Sequence, residues 1–201
     1  MTITTIGLDL AKNVFQVHGA DAEGRPVLQR QLRRSEVRRF FANLAPCLIG
    51  MEACGGAHFW ARELQTLGHE VRLMPPQYVR PYVKRNKNDS ADAAAICEAM
   101  TRPTMRFVPV KSPEQQALLA LHRMRELLVR QRSMLISAVR AHFAESGLVA
   151  GQGVRNVSRL VAILDEAGDP RLPDLAREAL SALVANSAIS RIAFMRSNTG
   201  S

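Results

Sequence analysis

The chain has 201 residues, 47% of them hydrophobic, with 27 Lys and Arg against 18 Asp and Glu for a formal charge of +9. That size and apolar content exclude a disordered chain and allow one ordinary domain with an appendage or two small ones, and no apolar run approaches the roughly 18 residues of a membrane span. The opening Met1-Thr2-Ile3-Thr4-Thr5 lacks a signal peptide's basic start, so an intracellular, cytoplasmic protein is expected, and the cationic excess favours a polyanionic partner such as nucleic acid.

Residues 2–10 form a short β-branched run that reads as a strand, with Asp9 in otherwise apolar company. Residues 13–20 are a second strand. Asp21 to Pro26 is a turn, and residues 27–32 are a third strand with partial alternation. Short connections between three strands imply an antiparallel meander. Ser35 is then expected to cap a helix carrying Val37, Phe40, Phe41 and Leu44 on one side, ended by Pro46. Residues 47–51 are a compact apolar run, as in a buried parallel strand, with Glu52 at its carboxyl end. Gly55-Gly56 loosens the backbone before a helix over 57–67, closed by Gly68. Residues 70–74 are a fifth strand, stopped by Pro75-Pro76.

A meander followed by strand-helix-strand crossovers predicts a mixed sheet with helices packed on it, the element order of the ribonuclease H-like fold. Next come the basic residues Arg80, Lys84, Arg85 and Lys87, with Tyr78 and Tyr82 among them, and then an Ala-rich helix that starts at Asp89-Ser90. Asp89 and Asp92 share a face of that helix. Taken alone they are a cap and a first-turn acid favoured by the helix dipole. Residues 107–110 form a short extended piece. Ser112-Pro113-Glu114 opens a long helix expected to reach Glu145. Leu121, Leu128 and Leu135 recur at heptad spacing along it, Met124 holds the matching seam position, and Gln131 intrudes there, so pairing with another helix is expected. Helices over 157–164 and 172–184 follow a Gly-Gln-Gly linker, and the last dozen residues show no pattern. The expected domains are 1–110, a long coiled-coil helix over 111–147, and a helical segment over 148–201.

Asp9, Glu52 and the Asp89/Asp92 pair stand at strand ends and a helix start that a mixed sheet can bring together. Two such carboxylates ~4 Å apart repel by on the order of 4 kcal/mol at an effective dielectric of about 20, so a cluster needs cations or raised pKa values. Oxygen ligands suit hard divalent ions, Mg²⁺ first and Mn²⁺ as a substitute, and a pair of ions can activate a water or 3′-hydroxyl and stabilise a leaving oxygen. The neighbouring cations suit a phosphate backbone. Cys47, Cys54 and Cys97 lack CxxC spacing and are expected as small buried apolar residues, and His18, His58, His69, His122 and His142 as surface or helix residues without ligand spacing. Trp60, at helical spacing with Leu64 and Leu67, reads as core. Ile6-Gly7-Leu8-Asp9-Leu10 also suits the first phosphate loop of an actin-like ATPase, but the sequence holds no second Gly-rich loop.

The runs Ile6-Gly7-Leu8-Asp9-Leu10-Ala11-Lys12, Met51-Glu52-Ala53-Cys54-Gly55-Gly56 and Lys87-Asn88-Asp89-Ser90-Ala91-Asp92-Ala93 resemble the three motifs of DEDD-type insertion-sequence transposases, a family with a RuvC-like N-terminal domain that includes bridge-RNA-guided recombinases. The resemblance covers roughly residues 3–150. It implies a RuvC-like α/β fold and metal binding and catalysis by Asp9, Glu52, Asp89 and Asp92. It also implies action on DNA as a dimer or tetramer, with a guide RNA left open as a second partner. Lys12, with Arg80, Lys84, Arg85 and Lys87, is the expected nucleic-acid contact. Members of that family are longer, with a second domain that supplies a serine nucleophile; the present chain stops before such a domain would fit, so truncation is expected. The other reading is a non-catalytic nucleic-acid-binding and dimerisation fragment.

Overall fold

A computed structural model describes residues 2–82, 89–165 and 169–185. The chain divides into two compact units, residues 1–117 and 118–201. The first is built on strands β1 (Thr5–Asp9), β2 (Val14–Ala20), β3 (Pro26–Arg33), β4 (Leu48–Glu52) and β5 (Glu70–Met74), in the order β3-β2-β1-β4-β5. β1, β2 and β3 pair antiparallel, whereas β4 runs parallel to both β1 and β5. This is the mixed ribonuclease H-like sheet that the element order predicts.

Strand alternation sorts the sheet into two faces. Ile6 and Leu8 of β1, Phe15 and Val17 of β2, Ile49 and Met51 of β4, and Val71 and Leu73 of β5 are buried with α1 (Val37–Ala42) and α2 (Ala57–Thr66). Trp60 and Leu64 are part of that core, as their spacing predicts. The other face is covered by α4 (Asp89–Met100), which packs on β1, β2 and β4. Gly7 and Gly50 are cross-strand partners on this face. A Cβ on Gly7 would lie 2.0 Å from the Ala93 carbonyl oxygen, and one on Gly50 would lie 2.7 Å from Met100 Sδ. The two glycines thus let a helix backbone touch the sheet.

Local chemistry explains most boundaries. The Asp21 carboxylate accepts N–H bonds from Glu23 and Arg25 at 3.1 and 2.9 Å and an Arg25 Nε bond at 2.8 Å, tying the β2–β3 turn. Burial pushes that carboxyl up, but these bonds outweigh it and hold it below the usual range. Gly68, at φ 91°, ends α2 with Gly68 N–H to Gln65 O and His69 N–H to Leu64 O, the paired C-terminal bonds of a Schellman turn. Two boundaries differ from expectation. Ser35 does not cap α1; Glu36 takes the N-cap position without a side-chain cap, and its carboxylate accepts the Arg33 N–H at 2.8 Å instead. Pro75-Pro76 stops β5 and also starts a four-residue helix, α3 (Pro76–Val79), because proline suits a first helical turn. The extended piece near 107–110 contributes one antiparallel bridge, Val108 to Leu73.

His69 and Cys54 also depart from expectation. His69 is buried: its Nδ1 accepts the Cys47 N–H at 3.2 Å, so Nε2 carries the proton and donates to Phe41 O at 3.0 Å. Cys47 and Cys97 are buried and their thiols pushed up to about 11, whereas Cys54 is exposed.

In α5 (Pro113–Glu145) the predicted start and end both hold. Ser112 and Gln115 form a reciprocal capping box, Gln115 N–H to Ser112 Oγ at 3.2 Å and Ser112 N–H to Gln115 Oε1 at 3.0 Å. In the second unit, Val139 and Phe143 of α5 pack with Val157 and Leu160 of α6 (Val154–Asp165) and Leu180 and Val184 of α7 (Asp174–Ala185). Arg177 donates to Ile163 O and Leu164 O at 2.9 and 3.1 Å, satisfying the carboxyl end of α6. No described helix is long and apolar enough to cross a membrane.

Trp60 is the only tryptophan, so its fluorescence reports the first unit alone. Gly7→Ala is expected to lower that unit's stability to urea by about 3 kcal/mol, the upper end for overpacking, because the added methyl meets backbone. Gly55→Ala, whose methyl meets nothing within 4 Å, should shift it by less than about 0.5 kcal/mol.

Burial holds the His18 imidazole below the ordinary histidine range, and burial together with Lys111 and Arg62 does the same for His58. Both bind protons more readily unfolded than folded, so their contribution is intact above pH 6.5 and is lost as pH falls through the window below it. The Trp60-monitored melting temperature should therefore drop between pH 7.5 and 5.5, with a shallower slope in His58→Gln.

Candidate active site

β1 and β4 run side by side in the same direction, paired up to Leu8 and Met51, and each ends one residue later in an acid, Asp9 and Glu52. The two are therefore set at neighbouring strand ends by the register alone. Both lie two residues beyond the glycines that receive α4, so both belong to the α4 face of the sheet. Each is half-buried. Beyond β4 the chain turns sharply: Ala53 N–H donates to Met74 O at 2.8 Å and Cys54 N–H to Glu52 O at 2.9 Å. This turn brings the Cys54 thiol beside the acids. Desolvation by the turn around it, then the charges of Glu52 and Asp9, push that thiol above its ordinary pKa, so both carboxylates act on one sulfur.

The direction of α4 follows from its contacts. Ala93 and Cys97 lie on Gly7, while Glu98 and Thr101 line a cavity with Thr4, Thr5 and Asp21 at the opposite end of β1. The helix thus runs antiparallel to β1, and its first turn, Asp89 to Asp92, lies toward the edge where β1 and β4 end. Asp92 is half-buried there. Asp89 opens the helix, and its side chain lies outside the described residues. Among the described residues no three His, Cys, Asp or Glu side chains are close enough together to hold a metal ion. The fold thus sets Asp9 and Glu52 at neighbouring strand ends and points the first turn of α4 at the same edge.

The donor chemistry fits a hard divalent cation. Asp9, Glu52 and Asp92 offer carboxylate oxygens, and the Cys54 thiol is made harder to ionise by desolvation and then by Glu52 and Asp9.

Of the expected cations, Lys12 is exposed just beyond β1, its carbonyl oxygen 3.5 Å from Arg34 Nη1, and Arg80 is exposed in the 3-10 turn Arg80–Tyr82. Lys84, Arg85 and Lys87 lie outside the described residues. The sequence reading missed Cys54 as a neighbour of the acids. Its place two residues past the strand-terminal Glu52 was the available signal, since a turn that tight keeps the residue near the strand end.

A family model described as transposase, for DEDD enzymes of the IS110 type, matches residues 6–146. A probable family 20 transposase of Pseudomonas aeruginosa is 59% identical over 150 residues, 75% of this chain and 44% of that protein. The transposase for insertion sequence element IS1328 of Yersinia enterocolitica is 44% identical over 164 residues, 82% of this chain and 49% of that protein. The chain spans a little under half the length of these curated relatives. T. thermophilus RuvC, solved in complex with a Holliday junction substrate, aligns with 54% of this chain and 100% of its own at 11% identity and a TM-score of 0.41, and at that distance the fold assignment rests on the strand order itself. With the family model matching well over half of its residues, the chain belongs to the DEDD transposase family of IS110-type insertion sequences.

Proposed function

We propose that this chain carries the metal-dependent nuclease half of an insertion-sequence transposase, acting in the cytoplasm on DNA strands in transposition, with a guide RNA as a further partner. The observation that carries the reading is the meeting of Asp9 and Glu52 at the ends of adjacent parallel strands, with the first turn of α4 aimed at the same edge. Carboxylates so placed favour a nearby cation or raised pKa values, and their oxygen donors suit a hard divalent ion. Asp9 and Glu52, joined by Asp89 and Asp92 from α4, would hold Mg²⁺ or Mn²⁺. Such ions, when bound, supply an activated water or 3′-hydroxyl and stabilise the departing oxygen of a phosphodiester.

The chain's own residues do the rest. Lys12 and Arg80, with Lys84, Arg85 and Lys87, dock the phosphate backbone and orient the scissile bond toward the acids. The partly buried setting of Asp9 and Glu52 limits competing water and strengthens their hold on a cation. Strand cleavage of supercoiled plasmid or a branched junction in Mg²⁺ or Mn²⁺ is the test. Asp9→Asn should lower the rate roughly 100-fold, the scale on which even outer-shell changes at metal sites act. Cleavage that survives this substitution removes Asp9 from the mechanism. No cleavage by the unaltered chain leaves the second reading, a nucleic-acid-binding and dimerisation fragment.

That second reading has an observation of its own. Leu121 and Leu128, at heptad spacing on α5, are 59% and 64% exposed, and Met124 is 55% exposed. A leucine seam open to water for this length favours a helix from a second copy, and the polar Gln131 within it would set the register. The intact chain is expected to sediment as a dimer or larger. Leu121→Glu with Leu128→Glu should give a monomer while leaving the Trp60 emission of the first unit unchanged.

A further inference from the structure

A groove of about 730 Å³ opens at the carboxyl edge of the sheet on its α2 side, between the start of β2, the end of β3 and the first turn of α2. Asn13, Arg33, Arg34, Phe59 and Trp60 form its walls, and none of its described lining residues is acidic. Three aromatic rings make an edge-to-face row beside it. Phe15 and Trp60 have centroids 5.1 Å apart, and Trp60 and Phe59 5.3 Å apart. Phe15 is fully buried, Trp60 nearly so, and Phe59 is 45% exposed, so the row runs outward from the core and ends in a ring facing water. The Arg34 guanidinium lies 5.3 Å from the Trp60 ring centroid and 5.6 Å from that of Phe15, and Trp60 Nε1 is a buried donor with no acceptor among the described residues.

Core packing explains Phe15 and Trp60 but not Phe59. Adjacent residues of a helix point in different directions, so with Trp60 turned inward its neighbour had no need to be aromatic. An exposed ring in a groove that two arginines line, with no acid among its described lining residues, matches a particular ligand. An unpaired base stacks on an aromatic face whatever its identity, and guanidinium groups take the phosphates beside it. A base inside a duplex has both faces already stacked and offers nothing to such a ring.

We propose that this groove is a subsite for an unpaired nucleotide strand, with a base on Phe59 and the adjoining phosphates on Arg33 and Arg34. Trp60 Nε1–H supplies a donor to the bound nucleotide once Arg34 turns from the ring to a phosphate. The subsite rests on the nucleic-acid reading above and adds to it which form of nucleic acid is held. β1, β3 and β4 all end at this edge, so a strand held in the groove lies at the same rim as Asp9 and Glu52. Strands parted from their complement, or a single-stranded stretch of RNA, share this chemistry.

The test uses the full chain with short single-stranded DNA and RNA oligonucleotides of one sequence, each carrying a 2-aminopurine, and the corresponding DNA duplex. The expected result is quenching of 2-aminopurine on binding, with Phe59→Ala lowering single-strand affinity roughly 10-fold, as loss of one stacked base does, and removing the quench. Phe59→Tyr, which keeps a ring, restores both, and duplex affinity is unchanged throughout. The DNA and RNA arms identify the strand by which is bound more tightly. Equal losses for duplex and single strand, or no loss in Phe59→Ala, overturn the subsite. So does a failure of the unaltered chain to bind either oligonucleotide: if it still binds duplex, the subsite alone falls, and if it binds neither, the nucleic-acid reading falls with it.

Discussion

The contact on which the first unit depends is the one between α4 and the middle of the sheet, where the helix backbone rests on Gly7 and Met100 on Gly50. Any larger residue at Gly7 would lift the helix, because the atoms in the way belong to its backbone rather than to a flexible side chain. The glycines are paired across β1 and β4, so they make a single trough two strands wide. A helix seated there has its direction and its height set together. Both matter for the acids, since Asp92 is one residue from Ala93, whose carbonyl oxygen faces Gly7.

The opposite face depends on a different device. There the sheet meets α1 and α2 through large side chains, and the polar group among them, His69, bridges Cys47 N–H and Phe41 O. A neutral imidazole in one tautomer satisfies a backbone donor and a backbone acceptor at once, which an apolar residue of similar size would leave unpaired. The link ties the start of β4 to the end of α1, so the strand that carries Glu52 is held at both ends. The second unit shows the same habit on a smaller scale. Arg171 grips the Asp169 carboxylate and holds its pKa at about 2, while Arg177 closes the end of α6.

Much of this could be read from residues alone, and the reasons differ by element. β5 was legible because Glu70 to Met74 lies between Gly68 and Pro75, two residues that end structure by backbone chemistry. α5 was legible because Ser112, Pro113 and Glu114 each favour a helix start independently. That Asp9 and Glu52 stand at neighbouring strand ends agrees with the expectation that a mixed sheet can bring such ends together, since β1 and β4 are adjacent. What stayed hidden depended on distant partners. Nothing near Ser35 announces that Glu36 is better used against Arg33 N–H. His69 has no local sign of burial, since its two partners lie 22 and 28 residues away. Cys54 was expected inside because cysteine usually is, but the turn after β4 turns it outward.

The position of the acids has a topological cause. From β1 the chain moves through β2 and β3 to one side of the sheet, then returns to β4 beside β1 and continues through β5 to the other. Between β1 and β4 the connections therefore leave in opposite directions, and the loops that would cover the strand ends diverge. Open α/β sheets leave a crevice at such a point, outside the carboxyl ends of the strands. Asp9 and Glu52 are the last residues of the two strands that flank it. α2 and α4 both begin at this edge, so two helix amino ends bring partial positive charge toward the acids. That charge moderates the repulsion between Asp9 and Glu52 without neutralising it, because a helix end is worth about half an elementary charge. Under the proposed function these strand-terminal carboxylates would hold a hard divalent cation, and the seating of α4 on Gly7 is what sets its first turn toward them.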